Sequence, residues 1–381
     1  MCGVIDIPVD PAERALRAGR VEDETAASPV DTERLERFAD RMVTGLNEAA
    51  TLLMLSIGHR TGLLDALGRV GPGSSTELAA AAELDERYVR EWLHGLTVAR
   101  IVEREDDGNF RLPAEHAALL TRRNAENLAV FTQYVAQMGA VEDKIVDCFR
   151  KGGGVPYSEF TRFHEIMAED SGQTVLPALH DAILPLVPGL VDRLDEGIMA
   201  ADLGCGRGLA LLSMARRYPN SRFVGWDLSE EAIEYATGLA RNESLDNVSF
   251  EVRDLSGFDQ TAPGEVFDFV TTFDAVHDQA DPGSLLKGIR RSLKPGGAYL
   301  MQDIHASSDV GGNMDHPVGA LLYAVSLSHC MTVSLAQGGE GLGTMWGREK
   351  ARELLGAAGF ESIDVHQLEH DFQNDYWVMQ V

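Results

Sequence analysis

Three aspartates at the ends of consecutive predicted strands have side chains that can hold a nucleoside. Asp202 opens a glycine-rich loop, Asp227 ends the next apolar segment, and Asp254 ends the third. A carboxylate accepts two hydrogen bonds from a ribose diol, and its charge strengthens both. Asp227 has the position for that contact, and Asp254 has the position to accept from an adenine amino group. The competing interpretation is that each aspartate only caps the helix that follows it.

The spacing of the glycines in this loop limits which classes of ligand it can bind. Glycines let the backbone turn sharply and let a ligand approach without a Cβ in the way. The dinucleotide fingerprint Gly-x-Gly-x-x-Gly requires a third glycine where this chain has Leu209, which disfavours a nicotinamide enzyme. Leu228 and Leu255 are expected to provide apolar surfaces for the base. The loop itself reads Asp202-Leu203-Gly204-Cys205-Gly206-Arg207-Gly208.

The elements that must position these residues alternate between strand and helix from Gly197 onward. This alternation predicts an α/β, doubly wound, mostly parallel sheet of seven strands, which binds ligands at the carboxyl ends of the strands. The last two strands, joined by a short connection, predict an antiparallel hairpin at the C-terminal edge. The predicted strands are Ile198–Leu203, Arg222–Trp226, Val248–Arg253, Val266–Phe273, Ala298–Gln302, Glu361–Gln367 and Tyr376–Val381.

The N-terminal half is mostly helical. Thr76–Ala82 and Glu86–Val98 are predicted as a short and a longer helix, and Asp106-Asp107-Gly108 follows as a hairpin turn, an order typical of a winged helix-turn-helix. We therefore divide the chain into a flexible tail (1–30), a winged-helix domain (31–124), a helical linker and cap (125–196) and the ligand-binding domain (197–381).

A family resemblance follows from these motifs. The loop from Asp202 to Gly208 resembles motif I of the class I S-adenosylmethionine-dependent methyltransferases, and Asp227 resembles their ribose-binding acid. The turn Lys294-Pro295-Gly296-Gly297 is similar to the one before their fifth strand. The resemblance covers roughly Gly197 to Val381 and implies S-adenosylmethionine as the cofactor.

The order of domains is similar to that of small-molecule O-methyltransferases and of regulator-like bacterial and mycobacterial methyltransferases. It implies a small methyl acceptor and a homodimer built by the N-terminal domain. In related bacterial proteins an aromatic residue of the loop before the core lies over the cofactor, a place that Tyr157 matches; a packed linker tyrosine is the alternative. Phe273, at the end of the fourth strand, is also assigned to the cofactor site, whereas Phe163 and Met167 are expected to be core residues.

His277 is the candidate general base. It follows the fourth strand on the ligand side of the sheet, and histidine has a pKa suited to proton transfer near neutral pH. The pair His277-Asp278 matches the first two residues of the His-Asp-Trp segment of plant-type O-methyltransferases, but Gln279 replaces the tryptophan. The resemblance implies that His277 deprotonates an acceptor hydroxyl; lining the pocket or capping a helix are the alternatives. The apolar stretch from Gly311 to Gly343 is expected to cover an apolar or aromatic acceptor.

Composition excludes several classes of function. A net charge of −27 repels nucleic acid and anionic membrane, so neither is an expected partner. No run approaches the roughly 20 apolar residues of a membrane helix. The four cysteines are far apart and match no zinc spacing, so we predict neither a metal site nor disulfides, and a cytoplasmic setting.

Two questions stay open at this stage. The winged helix also fits a DNA-binding regulator that senses S-adenosylmethionine with little turnover, although an acidic wing with Glu103, Glu105 and Asp106 opposes phosphate binding. The sequence also does not identify the acceptor or distinguish oxygen from nitrogen, sulfur or carbon as the methylated atom.

Overall fold

The computed structural model describes residues 30–123 and 127–381. The predicted flexible tail therefore lies outside the described residues except for Val30, as does the predicted boundary near residue 124. The chain forms two compact units, Met1–Glu48 and Ala49–Val381. In the first unit, the described residues from Thr32 to Glu48 are helical and exposed.

The N-terminal half has the predicted winged-helix arrangement. Strands β1 (Glu103–Arg104) and β2 (Phe110–Arg111) pair as an antiparallel wing. The helix Ser75–Ala82 begins with a capping box, in which the side chains of Ser74 and Glu77 each accept a hydrogen bond from the other residue's backbone N–H. The helices are Thr32–Arg60, Leu63–Val70, Ser75–Ala82, Glu86–Val98 and Ala114–Leu120.

A second group of helices connects this domain to the sheet. The glycine-rich loop before Tyr157 separates the first two helices, as the sequence predicts. Gly154 is required there because a Cβ would lie 1.9 Å from the carbonyl oxygen of Thr332. The elements are Gln133–Lys151, Phe163–Thr174 and Leu190–Glu196, with short 3-10 segments at Tyr157–Glu159 and Leu184–Leu186 and a π-helical segment at Leu179–Ile183.

The C-terminal half is the predicted doubly wound sheet. Its seven strands follow the order β5-β4-β3-β6-β7-β9-β8, in which only β9 is antiparallel to its neighbours. Apolar clusters cover both faces of the sheet. The strands are β3 (Met199–Leu203), β4 (Arg222–Asp227), β5 (Val248–Val252), β6 (Phe267–Phe273), β7 (Leu293–Ile304), β8 (Ile363–Leu368) and β9 (Asp371–Gln380).

Two strands are longer than the sequence predicts. Strand β9 begins at Asp371 instead of Tyr376. The Asp371 carboxylate accepts hydrogen bonds from the Asn374 amide and the Tyr376 hydroxyl, so these polar groups can be buried in a strand. Strand β7 begins at Leu293 and includes the Pro-Gly-Gly turn as an irregularity, where the pairing with β6 shifts register. The helices around the sheet are Leu209–Arg217, Glu230–Asn242, Phe258–Thr261, Pro282–Ser292 and Gly347–Ala357.

The segment predicted to cover the acceptor is itself helical. Its elements are Val310–Asn313, Gly319–Val325, the π-helical Ser326–Cys330 and Met331–Ala336. The continuous stretch Gly319–Ala336 is long and apolar enough to span a membrane, but half of it is buried in the protein. Val333 packs there against Tyr134, Phe160 and Phe163, which is the environment of a core helix.

Candidate functional site

A cleft lies at the carboxyl ends of β3, β4, β5 and β6. All eleven residues that the sequence assigns to the cofactor line this one cleft. They are Asp202, Gly204, Cys205, Gly206, Gly208, Asp227, Leu228, Asp254, Leu255, Phe273 and Tyr157. The cleft therefore brings the glycine loop and the three strand-end aspartates together.

The glycine loop adopts a backbone that other residues rarely reach. Gly204, Gly206 and Gly208 have φ values of 73°, 52° and 70°. A Cβ on Gly204 would lie 2.5 Å from the Ala275 Cβ, and one on Gly208 would lie 2.4 Å from the Phe250 ring. Packing accounts for these two glycines. A Cβ added at Gly206 would meet no atom nearer than His164 Nδ1, at 3.9 Å. The lack of a side chain at Gly206 therefore leaves space in the cleft.

Asp227 links the end of β4 to the glycine loop. Its Oδ2 accepts a hydrogen bond from Gly206 N at 2.8 Å, and its Oδ1 accepts one from Ser229 N at 2.8 Å. The cap of the following helix is Ser229, whose hydroxyl accepts from Ala232 N. Helix capping therefore does not explain Asp227, which lines the cleft.

The other two strand-end aspartates have different surroundings. Asp254 lines the cleft and closes a local turn by accepting from Ser256 N at 2.8 Å. Asp202 is buried and accepts from the Thr271 hydroxyl at 2.8 Å. Burial raises the pKa of Asp202 to about 7. Burial, together with the charges of Asp227 and Asp202, also raises the pKa of the Cys205 thiol.

The helix Phe163–Thr174 forms the opposite wall, which the sequence did not predict. Phe163 and Met167, expected as core residues, line the cleft, and so do His164, Ala168 and Ser171. Their spacing places them on one helical face. Apolar residues recur with the same helical spacing whether they face a protein core or a ligand. Periodicity alone therefore could not show that this helix lines the cleft.

His164 is an unassigned polar group in that wall. Its ring stacks on Tyr157 with centroids 5.1 Å apart, and its Nε2 is buried without a hydrogen-bond partner. Burial lowers the pKa of His164. A neutral imidazole with a free nitrogen at the cleft wall is suited to a hydrogen bond with a ligand.

His277 lies behind the cleft wall instead of in it. The ring is 3% exposed, and Nδ1 lies 2.7 Å from Oδ1 of Asp303, which also accepts from the Trp346 indole at 3.0 Å. Burial alone would lower the pKa of His277, but the Asp303 carboxylate and Cys330 raise it well above the usual value. In this arrangement the imidazole is turned toward Asp303.

The neighbouring Asp278 does line the cleft, together with Asp274 and Gln279. Burial and the charges of Asp227 and Asp303 raise the pKa of Asp278 to about 7, against the opposing effect of His277. Val333 and Gln337, at the end of the helical stretch after β7, complete this side of the cleft. The strand-end signal that pointed to His277 therefore applied equally to its neighbours.

Two family models match the chain. Residues 49–122 match a winged helix-turn-helix domain described as Rv2258c-like, and residues 194–337 match a methyltransferase domain. Residues of the chain also align with the ubiquinone biosynthesis O-methyltransferase of Acinetobacter baylyi (29% identical over 109 residues, 29% of this chain and 44% of that protein). A second relative is the cypemycin N-terminal methyltransferase of a Streptomyces species (35% over 110 residues, 28% of this chain and 42% of that protein). The chain thus spans less than half the length of these two relatives.

Solved structures share the fold over nearly the whole chain. The mitomycin 7-O-methyltransferase MmcR superposes with a TM-score of 0.67 at 18% identity, covering 92% of this chain and all of that one. Human N-acetylserotonin methyltransferase, solved with SAM, has a TM-score of 0.65 at 19% identity, covering 93% and 99%. Together the two family models match more than half of the chain, which therefore belongs to the class I methyltransferases that carry an N-terminal winged helix-turn-helix domain.

Proposed function

We propose that this protein transfers the methyl group of S-adenosylmethionine to a hydroxyl group of a small, apolar or aromatic acceptor. The observation that carries the proposal is the convergence of the glycine loop, Asp227 and Asp254 on one cleft. One solved structure of this fold is the mitomycin 7-O-methyltransferase MmcR, and another is an O-methyltransferase family protein of Burkholderia thailandensis. One relative is a ubiquinone biosynthesis O-methyltransferase. Another relative is a cypemycin N-terminal methyltransferase, so amines belong beside phenols in the panel that tests the choice of oxygen.

The residues present fit this cofactor. Gly206 leaves space at the loop, Asp227 offers carboxylate oxygens at the adjacent strand end, and Leu255 provides a buried apolar surface beside Asp254. The buried, unpartnered Nε2 of His164 adds a polar atom opposite the loop. Asp227 would hold the ribose hydroxyls, and Asp254 with Leu255 would hold the adenine.

When bound, S-adenosylmethionine supplies an electrophilic methyl carbon, and the protein supplies approach geometry and a proton acceptor. The sequence assigns that acceptor to His277. In the structure the His277 ring is buried against Asp303 and does not line the cleft, whereas the Asp278 carboxylate does. We therefore assign proton acceptance to Asp278, because a base must be within hydrogen-bonding reach of the acceptor.

The helical stretch Gly319–Ala336 is proposed to shape the acceptor end of the cleft. Val333 reaches the cleft from this stretch, and its neighbours in the fold are aromatic, including Tyr157 and Phe163. Such a wall favours an apolar or aromatic molecule over a highly charged one.

We also propose a homodimer formed through the N-terminal helix. Leu35, Phe38, Met42 and Leu46 are all at least 47% exposed and recur at helical spacing along Thr32–Glu48. An exposed apolar stripe of this kind is typical of a surface that packs against another helix.

Calorimetry with S-adenosylmethionine and S-adenosylhomocysteine tests the cofactor, and conversion of one into the other in the presence of a phenol panel tests turnover. We expect binding of both compounds and acceptor-dependent formation of S-adenosylhomocysteine. Absence of binding would refute the site. Binding without turnover on phenols, amines or thiols would instead favour the sensor interpretation of the winged-helix domain.

A further inference from the structure

The helix Phe163–Thr174 has two faces with different surroundings. The face that lines the cofactor cleft carries Phe163, His164, Met167, Ala168 and Ser171. The opposite face carries Glu165, Glu169 and Gln173, four positions apart, and residues at this spacing lie one above the other along a helix. One face of the helix therefore meets the ligand, and the other is free to contact the rest of the protein.

Glu169 connects that second face to the winged-helix domain. Its Oε2 accepts a hydrogen bond from His59 Nε2 at 2.9 Å and one from Gln133 Nε2 at 2.7 Å. His59 is 1% exposed and lies within the range that matches the winged-helix model, whereas Gln133 begins the linker helix Gln133–Lys151. A single carboxylate oxygen thus joins the winged-helix domain, the linker and the cleft wall.

Arg122, the last residue of the winged-helix match, holds His59 in place. Its backbone N–H and its Nη1 donate to the two carboxylate oxygens of Asp65 at 2.7 and 2.8 Å, and Nη1 also donates to the His59 carbonyl oxygen at 2.9 Å. Its Nη2 lies 3.5 Å from Oε1 of Glu169. Glu169 therefore meets donors that the winged-helix domain has already arranged, and such a contact costs little ordering of mobile side chains.

The winged-helix domain has no direct access to the ligand. Within residues 30–123 and 127–381, every residue that lines the cleft is Tyr157 or a later one. The helix Phe163–Thr174 contacts both the domain and the cleft, and it lies between the matched ranges 49–122 and 194–337. Its position against the glycine loop therefore depends on the contacts at its back.

We propose that Glu169 is a positioning residue, which holds the cleft wall against the glycine loop through its contact with His59 and so raises the affinity for S-adenosylmethionine. A wall that is already in place spares the cofactor the free-energy cost of ordering the helix. Coupling of this kind is reciprocal, so a bound cofactor also strengthens the contact between His59 and Glu169. This role rests on the proposed cofactor site but is independent of which atom of the acceptor is methylated.

Calorimetry with S-adenosylhomocysteine, well below the melting temperature of each full-length variant, tests this role. Glu169→Ala and His59→Ala should each raise the Kd at least about fivefold. Because both substitutions remove the same contact, the double variant should bind like either single variant instead of showing the product of the two effects. Glu169→Gln keeps an oxygen that accepts from Gln133 and should recover part of the affinity.

Glu77→Ala is the matched control, because it breaks the capping box of the helix Ser75–Ala82 in the same domain and leaves the cleft wall alone. It should lower the melting temperature and keep the wild-type Kd. A wild-type Kd in Glu169→Ala, or fully additive effects in the double variant, overturns the proposal. Absence of binding to the wild-type protein refutes the cofactor site instead.

Hydrogen–deuterium exchange of the wild-type protein gives a second readout, which decides the question if the alanine variants do not fold. Saturation with S-adenosylhomocysteine should slow exchange at the backbone amides around His59, in the last turn of the helix Thr32–Arg60, although this segment does not line the cleft. The wing, residues 103–111, should exchange at an unchanged rate. Equal slowing of both segments, or slowing of neither, contradicts coupling through His59.

Discussion

Oδ2 of Asp227 accepts a hydrogen bond from the backbone N–H of Gly206 across 2.8 Å, so the acid that ends β4 holds the glycine loop that follows β3. The two parts of the cofactor site are therefore one structural unit. Loss of the carboxylate would remove the proposed ribose contact and also release the loop.

Asp227→Ala is expected to weaken S-adenosylmethionine binding by far more than Asp227→Asn, because only the asparagine can still accept a hydrogen bond from Gly206. A charged hydrogen bond contributes roughly 1.5–3 kcal/mol, so we expect at least about a tenfold higher Kd for Asp227→Ala in calorimetry. Glu243→Gln is the control, since Glu243 pairs with Arg216 and neither residue lines the cleft. Unchanged affinity in Asp227→Ala would argue against the assigned ribose contact.

Gly208→Ala is expected to lower both the melting temperature and cofactor affinity. The new Cβ would lie 2.4 Å from the Phe250 ring, at a φ of 70° that costs other residues about 1–2 kcal/mol. Gly238→Ala is the matched control, because Gly238 lies within a helix and a Cβ there meets nothing within 4 Å. Thermal unfolding compares the two, and equal melting temperatures would contradict the packing role of Gly208.

Asp278→Asn is expected to lower kcat by about 10²–10⁴ while leaving the Kd of S-adenosylmethionine within a few fold. The amide keeps the shape of the side chain but cannot accept a proton. Asp278→Glu should recover part of the rate, which a purely structural role would not predict. A fully active Asp278→Asn enzyme would return the role of base to His277.

Glu169→Gln is expected to destabilise the protein at neutral pH by on the order of 1 kcal/mol. Glu169 lies on the helix face opposite the cleft, where it accepts from His59 Nε2 at 2.9 Å and Gln133 Nε2 at 2.7 Å. These contacts lower the pKa of Glu169 to about 2. Because the folded-state pKa is the lower one, the stabilisation is complete above the unfolded-state pKa of about 4.3 and is lost as the pH falls toward about 2.

Chemical denaturation at pH 7 and pH 3 measures this effect. The difference in unfolding free energy between wild type and Glu169→Gln should shrink at the lower pH. Glu165→Gln is the control, since Glu165 is on the same helix and pairs locally with Arg162. A difference that does not depend on pH would exclude the charged contact as its source.

Leu35→Glu combined with Phe38→Glu is expected to convert a two-chain particle into a single chain, because charge on the exposed stripe opposes helix packing. Light scattering after size exclusion measures the mass of each form. Asp40→Ala, on the same helix but at a polar position, should keep the mass of the wild type. A wild-type protein that is monomeric at high concentration would rule out the proposed dimer.

Much of the fold was predictable because its signals are local. Alternating apolar strands and helices predicted the doubly wound sheet, and the order of a short helix, a longer helix and the Asp106-Asp107-Gly108 turn predicted the winged helix. The errors lie where polar residues form strands, as at Asp371, since their compensating partners are decided by tertiary contacts.

The sequence by itself determined the glycine loop and the strand-end aspartates, because strand order and backbone conformation follow from short stretches of chain. Only the tertiary structure decided which side chains face the cleft. It placed Phe163, His164 and Asp278 in the wall and turned His277 toward Asp303. Adjacent residues in a loop can point in opposite directions, and a helix face reads the same against a core or a ligand, so their orientation depends on packing between distant segments.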